Sequence, residues 1–179
     1  MEWITNIDGQ ILLWIQEFVR NGILTPVMTG ITHLGDAGRI WILLTLGLLI
    51  VPRTRKVGLM CACALLGSLL INNMILKNWV ARVRPYEVVE GLKLLIERQH
   101  DWSFPSGHTA SSFAAAVVMF RNLPKWFGIP ALVLAVAISL SRLYVGVHYP
   151  TDVLFGLLSG TAIAILTQFL IEHMGHAGK

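Results

Sequence analysis

The stretch SRLYVGVHYPTD, residues 141–152, places an arginine, a histidine and an aspartate inside an otherwise apolar part of the chain. The segments on either side, 128–140 and 153–170, contain no charged residue. An ionised group at the centre of a membrane helix costs about 2.5–3.5 kcal/mol, so these charges need an explanation. A solvated loop between two membrane helices is one explanation and a functional site is another. Two further polar clusters in the chain favour the site.

The composition indicates a chain embedded in a bilayer. Of its 179 residues, 55% are hydrophobic and 13% are charged, whereas soluble domains carry about 25% charged residues. The length predicts one domain, residues 1–179. The net charge of +4 comes from basic residues in short loops, which membrane topology and anionic lipid explain better than a nucleic-acid partner. We therefore expect membrane lipids, and no nucleic acid, among the partners.

Apolar runs between polar turns predict an all-α fold, a polytopic membrane helix bundle. Residues 3–19 carry apolar side chains at helical spacing and a wet face that includes Asp8, which predicts an N-terminal amphipathic helix along the interface. About six membrane segments follow, the first of them short for a full crossing of about 20 residues. The predicted segments are 23–34, 39–51, 57–78, 105–120, 126–140 and 150–173.

The basic loops predict the orientation of this multi-pass protein in the cell membrane. Residues 53–56 and 121–125 fall on one side if every segment crosses, and positive residues favour the cytoplasmic side. Asp36, a polar excursion at 77–104 and the opening stretch then share the extracytoplasmic face. Within the excursion, residues 90–99 have amphipathic spacing and predict a short interfacial helix over the mouth of a site.

Two polar clusters join the opening stretch on that face. The first, KNWVARVRP, contains Lys77 and Arg84, which are two helical turns apart and share a face if the helix continues between them. The second, PSGH, contains Ser106, Gly107 and His108 at the start of a predicted segment. The free N–H groups at a helix start favour an anion.

The opening stretch contributes Arg142, His148 and Asp152. The histidine and the aspartate are four residues apart, with Pro150 between them. A helix that begins near this proline places the carboxylate in its first turn, within reach of the imidazole. The stretch therefore predicts a histidine that is oriented by an aspartate.

These residue types suit a phosphoryl group. Lys77, Arg84 and Arg142 supply positive charge for anionic oxygens, and arginine binds such oxygens with two parallel hydrogen bonds. Ser106 and the backbone N–H groups near Gly107 complete a cradle, because glycine lets the backbone approach closely.

The two histidines suit a double displacement. His148, held by Asp152, is predicted to attack phosphorus, and His108 to protonate the leaving oxygen and then to activate water. The intermediate is a phosphohistidine. A His/Asp metal site is the competing interpretation, but three permanent cations nearby would repel a divalent ion. We therefore expect no metal and no cofactor.

The three motifs, KNWVARVRP, PSGH and SRLYVGVHYPTD, resemble the signature motifs of the type 2 phosphatidic acid phosphatase (PAP2) family in the same order. The resemblance covers residues 77–152 by motif and the whole chain by architecture. It implies an α-helical membrane bundle and metal-independent dephosphorylation of a lipid phosphate or diphosphate. It also implies phosphate contacts at Lys77, Arg84, Ser106, Gly107, His108 and Arg142.

The expected function is therefore that of an integral-membrane lipid phosphatase whose substrate enters laterally from the outer leaflet. The compact chain and its short loops favour undecaprenyl diphosphate as the substrate. Phosphatidylglycerophosphate or phosphatidic acid is the alternative. A protein of another class, a non-catalytic lipid-phosphate-binding or transport protein, would keep the cradle but could lose either histidine, and both are present here.

Overall fold

Helices account for all the regular structure in the part of the chain that the computed structural model describes, which is residues 2–177, with side chains described for residues 3–173. The all-α prediction is therefore confirmed. The helices are α1 (Glu2–Trp14), α2 (Leu24–Leu34), α3 (Arg39–Ile50), α4 (Arg55–Ser68), α5 (Lys77–Val80), α6 (Pro85–Val88), α7 (Gly107–Asn122), α8 (Lys125–Tyr144) and α9 (Pro150–Ala177).

Several of these stretches are long and apolar enough to cross a membrane. Among the described residues, Arg55–Val88, Lys125–Tyr144 and Pro150–His173 qualify by length and composition. The pair Leu24–Leu34 and Asp36–Ile50, bent by 49° at a short break, is a fourth candidate. Helix α7 has 16 residues and is shorter than these. The described chain thus contains three or four such candidates where the sequence predicts about six segments.

Helix α7 is the centre of the bundle and packs against α4, α8 and α9. Ala114, Ala115 and Ala116 on this helix have no exposed surface, and such small side chains let neighbouring helices approach closely. On the α9 side, a Cβ added to Gly160 would lie 2.3 Å from the carbonyl oxygen of Ala110. The bundle therefore surrounds α7, and the first turn of α7 has a defined position at one end of it.

Helix α4, which follows the basic loop at 53–56, changes from an α-helix to a π-helix before it reaches that end of the bundle. Helix α4 continues as a π-helix over Leu69–Leu76 and then as α5. Inside the π-helix, the buried Asn72 side chain accepts a hydrogen bond of 2.8 Å from Ser159 Oγ of α9. The wider turns of a π-helix change the direction of the side chains that come next, and Lys77 is the first residue after it.

The chain leaves this helix at Ala81, which lies in the left-handed region with φ 48°. Arg84 is extended, with φ −74° and ψ 150°, and Pro85 then begins the short α6. The helix therefore does not continue from Lys77 to Arg84, so the condition under which these two residues would share one helical face is not met. An alanine gives no sign of such a break, because a left-handed conformation is uncommon outside glycine, asparagine and aspartate.

Residues 89–103 cross the same end of the bundle as an irregular segment, so the predicted interfacial helix at 90–99 is wrong. Gly91 has φ 82°. Leu94, Leu95 and Ile96 all pack against the buried loop after α8. A helix presents one stripe of side chains to a surface, whereas an irregular chain brings all three of these neighbours into contact.

Helix α1 also lies at this end, and it turns a polar group inward. Asp8 is 2% exposed and Leu12 is 1% exposed. Trp3 and Trp14 point away from the bundle and are exposed. The prediction that Asp8 belongs to a wet face is therefore wrong, because its carboxylate is buried against the rest of the chain.

Replacing Gly160 by alanine is expected to destabilise the bundle, because the new methyl group meets the backbone of Ala110. Overpacking of this kind costs about 1–3 kcal/mol, so we expect a lower midpoint of thermal unfolding in detergent for Gly160→Ala. The matched control is Gly47→Ala, because a Cβ at Gly47 has no atom within 4 Å. That variant should unfold at the wild-type temperature or slightly above it. Equal midpoints for the two variants would contradict the close α7–α9 contact.

Candidate active site

A cavity of about 520 Å³ opens at the end of the bundle where α7 begins. Six of the eight predicted site residues line it, and the other two, Ser106 and Asp152, are buried beside lining residues. The six are Lys77, Arg84, Gly107, His108, Arg142 and His148. The apolar part of the wall includes Ile42, Leu65, Leu66 and Leu69.

His148 lies in the loop between α8 and α9 and is 1% exposed. Its Nδ1 is 3.4 Å from Oδ2 of Asp152, which stands in the first turn of α9 as the sequence predicts. That oxygen also accepts hydrogen bonds from Ser103 Oγ at 2.5 Å and from the Tyr149 N–H at 3.0 Å. Nε2 of His148 lies 3.4 Å from Nη1 of Arg84. Nδ1 of His148 thus faces the carboxylate without a hydrogen bond to any described residue, and the other nitrogen faces the cations.

The surroundings of His148 favour its neutral form. Burial lowers the pKa of His148 well below its usual value, and the charges of Arg84 and Arg142 lower it further. A neutral imidazole has a free lone pair on one nitrogen. The ring therefore has the protonation state that a nucleophile needs at neutral pH.

Two arginines in the wall are almost fully buried. Arg84 is 4% exposed and donates from Nη1 to the Val147 carbonyl oxygen at 2.8 Å. Arg142 is 1% exposed and donates from Nη1 to Thr32 Oγ1 at 2.7 Å, while its Nε has no partner among the described residues. A buried cation with an unpaired donor is strongly destabilising unless an anion compensates it. The cavity therefore suits an anion.

Asp101 is a site residue to which the sequence gives no role. Its Oδ2 accepts from Lys77 Nζ at 2.5 Å and its Oδ1 accepts from Arg84 Nη2 at 2.6 Å. Burial acts to raise the pKa of Asp101, but Lys77 and Arg84 outweigh it and hold that pKa below its usual value. The only signal in the sequence is its place in the polar excursion, just before PSGH. A carboxylate thus lies between two predicted phosphate contacts.

Ser106 and Gly107 shape the start of α7. Ser106 is the N-cap, and its Oγ accepts a hydrogen bond of 3.4 Å from the Thr109 N–H. A Cβ added to Gly107 would lie 2.8 Å from Oδ1 of Asn73, so only glycine fits there without a shift. Ser106 therefore supports the cradle from behind, while the backbone at Gly107 reaches the cavity.

Arg82 connects Asp8 of α1 with Asp152, the carboxylate beside His148. Its side chain is largely buried, with 18% of its surface exposed. Arg82 donates to Asp152 Oδ1 at 2.7 Å and to Asp8 Oδ2 at 2.8 Å. Its guanidinium also lies 3.8 Å from the ring centroid of Tyr149. Asp8 and Arg82 thus fix the second oxygen of Asp152, which no local sequence pattern reveals.

His108 has a carboxylate partner too. Its Nε2 lies 3.0 Å from Oδ1 of Asp36, in the bend between α2 and α3. The sequence places Asp36 on the face of the site but assigns it no contact. Its position in a tight polar turn between two apolar segments is the signal that could have pointed to it.

Comparison with known proteins finds relatives along most of the chain. A profile of the PAP2 superfamily matches residues 57–172. An undecaprenyl-diphosphatase from Sulfolobus acidocaldarius is 38% identical over 128 residues, covering 72% of this chain and 62% of that protein. A phosphatidylglycerophosphatase B from Bacillus subtilis is 32% identical over 167 residues, covering 86% of this chain and 76% of that protein. The alignment thus spans less than two thirds of the Sulfolobus relative.

A solved structure has the same architecture. A transmembrane PAP2 type phosphatidylglycerolphosphate phosphatase from Bacillus subtilis superposes with a TM-score of 0.78 at 30% identity. The superposition covers 97% of this chain and 88% of that chain. Together with the apolar helices, this similarity supports a position in a membrane.

Replacing Asp101 by asparagine is expected to tighten the binding of inorganic phosphate, because it removes a competing carboxylate from Lys77 and Arg84. An effect on the order of 1 kcal/mol corresponds to about a fivefold lower Kd, which a phosphate titration of thermal stability measures. The matched control is Glu97→Gln, which removes an exposed carboxylate from the same segment. Weaker phosphate binding in Asp101→Asn would mean that the carboxylate positions the two cations rather than competing for them.

His148 is expected to make stability depend on pH. Because its pKa is lowered in the folded state, the unfolded chain binds the extra proton first as the pH falls below about 6.5. Stability is therefore present above that pH and declines below it, by at most about 1.4 kcal/mol per pH unit. Unfolding midpoints at pH 7.5 and 5.5 should differ less in His148→Gln than in the wild type. His100→Gln, at an exposed position, should keep the wild-type difference. Equal pH dependence in His148→Gln would contradict the expectation.

Proposed function

The chain belongs to the PAP2 superfamily, and from that premise we propose that it is an integral-membrane enzyme that hydrolyses a lipid phosphate or diphosphate without a metal ion. The observation that carries the proposal is the meeting of His148 with the guanidinium of Arg84, 3.4 Å away, in a cavity that Lys77, Arg142 and His108 also line. These groups lie far apart in the sequence. Their convergence gives one anion site with a nucleophile inside it.

In the proposed complex, the phosphate oxygens take the positions that the buried donors face. Arg142 offers its unpartnered Nε, and Arg84 offers the N–H groups that now contact Asp101. Lys77 likewise releases Asp101 and donates to the substrate phosphate instead. Charge-assisted hydrogen bonds of this kind are about twice as strong as neutral ones. The substrate phosphate therefore replaces Asp101 as the counter-ion of the cavity.

The reaction proceeds in two displacements. Nε2 of His148 attacks phosphorus, the P–N bond forms, and the bond from phosphorus to the leaving oxygen breaks while His108 gives that oxygen a proton. Water then attacks the phosphohistidine, the P–N bond breaks, and His108 takes a proton from the water. Asp152 stabilises the positive charge that develops on His148 in the first step.

The apolar wall of the cavity favours a lipid substrate that enters from the side. Ile42 of α3, Leu66 of α4 and Leu69 of the π-helix that follows α4 line the cavity and are also exposed on the outside of the bundle. An apolar chain that follows these residues leads directly to the cations. Among the relatives, one is named for undecaprenyl diphosphate and another for phosphatidylglycerophosphate. Undecaprenyl diphosphate is our first choice, with phosphatidylglycerophosphate or phosphatidic acid as the alternative.

The proposed membrane arrangement keeps six segments, with α1 along the interface and the cavity on the extracytoplasmic side of the cell membrane. The exposed Trp3 and Trp14 of α1 support an interfacial position for this helix, since aromatic rings are enriched at that depth. The basic loops at 53–56 and 121–125 lie at the ends of α4 and α7 that are remote from the cavity. Positive residues favour the cytoplasm, so the cavity faces the opposite side.

A non-catalytic carrier of lipid phosphates is the alternative from another class. Such a protein needs the cations and the apolar wall but neither histidine. Here both His108 and His148 line the cavity, and each has a carboxylate partner. These paired histidines favour an enzyme.

The proposal predicts phosphate release from lipid phosphates in detergent with EDTA present, and its loss in His148→Ala. Removal of the nucleophile should lower kcat by about a thousandfold or more, while the lipid still binds. The assay uses undecaprenyl diphosphate, phosphatidylglycerophosphate and phosphatidic acid, and a short-lived phosphoenzyme should be trapped only when His148 is present.

Wild-type turnover in His148→Ala would contradict the phosphohistidine. Activity that EDTA abolishes and Mg²⁺ restores would contradict the metal-independent reaction. Equal rates on all three lipids would contradict the choice of undecaprenyl diphosphate but leave the phosphatase proposal in place.

A further inference from the structure

The bend between α2 and α3 places one carboxylate between two histidine rings. Oδ1 of Asp36 lies 3.0 Å from Nε2 of His108, and its Oδ2 lies 2.9 Å from Nδ1 of His33. Arg39 is a more distant partner, with Nη2 at 4.0 Å from the same Oδ2. Both oxygens of Asp36 are therefore engaged, and its carboxylate has a defined orientation toward the cavity.

 A Cβ added to Gly35 would lie 2.7 Å from Cδ2 of His108, so the ring rests directly on the glycine backbone. Ala37 has φ 51° and Gly38 has φ 67°, which turns the chain sharply after Asp36. The left-handed conformation is unfavourable for alanine, and here the strained turn directs the carboxylate of Asp36 at His108.

The positive charges around the cavity determine what the Asp36 carboxylate can do for His108. Lys77, Arg84 and Arg142 line the cavity beside His108, and cations disfavour a further positive charge on its ring. A general acid, however, must carry that charge before it gives up its proton. Asp36 is the carboxylate in contact with this ring, so it offsets the cations at the place where the imidazolium forms.

We propose that Asp36 is a positioning residue for His108, orienting its ring and stabilising its protonated form as the acid of the first displacement. The inference rests on the proposed function. In the protonated ring, Nε2–H is donated to Asp36, and Nδ1–H remains for the leaving oxygen. His33, whose side chain is 61% exposed, holds the other oxygen of the carboxylate from the solvent side.

The test compares two probes that differ in their need for an acid. The leaving group of dodecyl phosphate is an alkoxide, which must be protonated. The leaving group of a dodecyl-substituted nitrophenyl phosphate is a nitrophenolate, which is stable without a proton. The constant kcat/KM reports all steps up to the departure of that group. In Asp36→Asn we expect kcat/KM to fall about 10–100-fold for the alkyl phosphate and by less than about threefold for the aryl phosphate.

Matched variants separate positioning from folding. Asp36→Glu, which restores the charge, should recover part of the activity on dodecyl phosphate. His33→Gln should cause a smaller selective loss, and Glu17→Gln, at an exposed carboxylate that does not line the cavity, should change neither probe. An equal loss on both probes in Asp36→Asn would overturn the inference while leaving the proposed function in place. A wild-type protein that cleaves neither probe nor any lipid phosphate would contradict the proposed function itself.

Discussion

The compensation of buried positive charge is the constraint on which the rest of this structure depends. Moving an ion out of water costs several kcal/mol even after relaxation, and Arg84 and Arg142 are nearly inaccessible to solvent. Asp101 compensates Arg84, whereas among the described residues Arg142 donates to the hydroxyl of Thr32 and has an unpartnered Nε. The bundle therefore maintains a positive cavity that is incompletely neutralised by its own described side chains, and in the proposed complex a phosphate group supplies the missing negative charge.

Close helix packing brings these charges together. A Cβ at Gly156 would lie 2.8 Å from the Ser106 carbonyl oxygen, and one at Gly160 would lie even closer to Ala110. With α9 so near α7, the Ser106 N–H donates to the carbonyl oxygen of Asp152 at 3.1 Å. The start of α7, which presents His108, and the start of α9, which orients His148, are thus parts of one rigid end of the bundle.

The sequence predicts the parts of this site that are local and misses those that are not. His148 and Asp152 are four residues apart on a helix start, so their contact follows from spacing alone. No residue type in the sequence indicates the break at Ala81, which is why the sequence leaves open whether Lys77 and Arg84 share one helical face. Asp36 meets its histidine across 72 positions of sequence, and a contact over that distance depends on how the whole bundle packs. The motifs therefore predict which groups gather and the pairing of His148 with Asp152, but not the contacts that Asp36 and Asp101 make.

The two histidine–carboxylate pairs differ in exposure in a way that matches their proposed tasks. Asp152 is fully buried and His148 nearly so, whereas the side chains of Asp36 and His108 are 30% and 16% exposed. A nucleophile benefits from a dry site, because water would compete with it for phosphorus and would solvate its lone pair. The acid that later activates water has to stand where water reaches it. The bent connection between α2 and α3 provides that access on one side of the cavity, while the start of α9 closes the other.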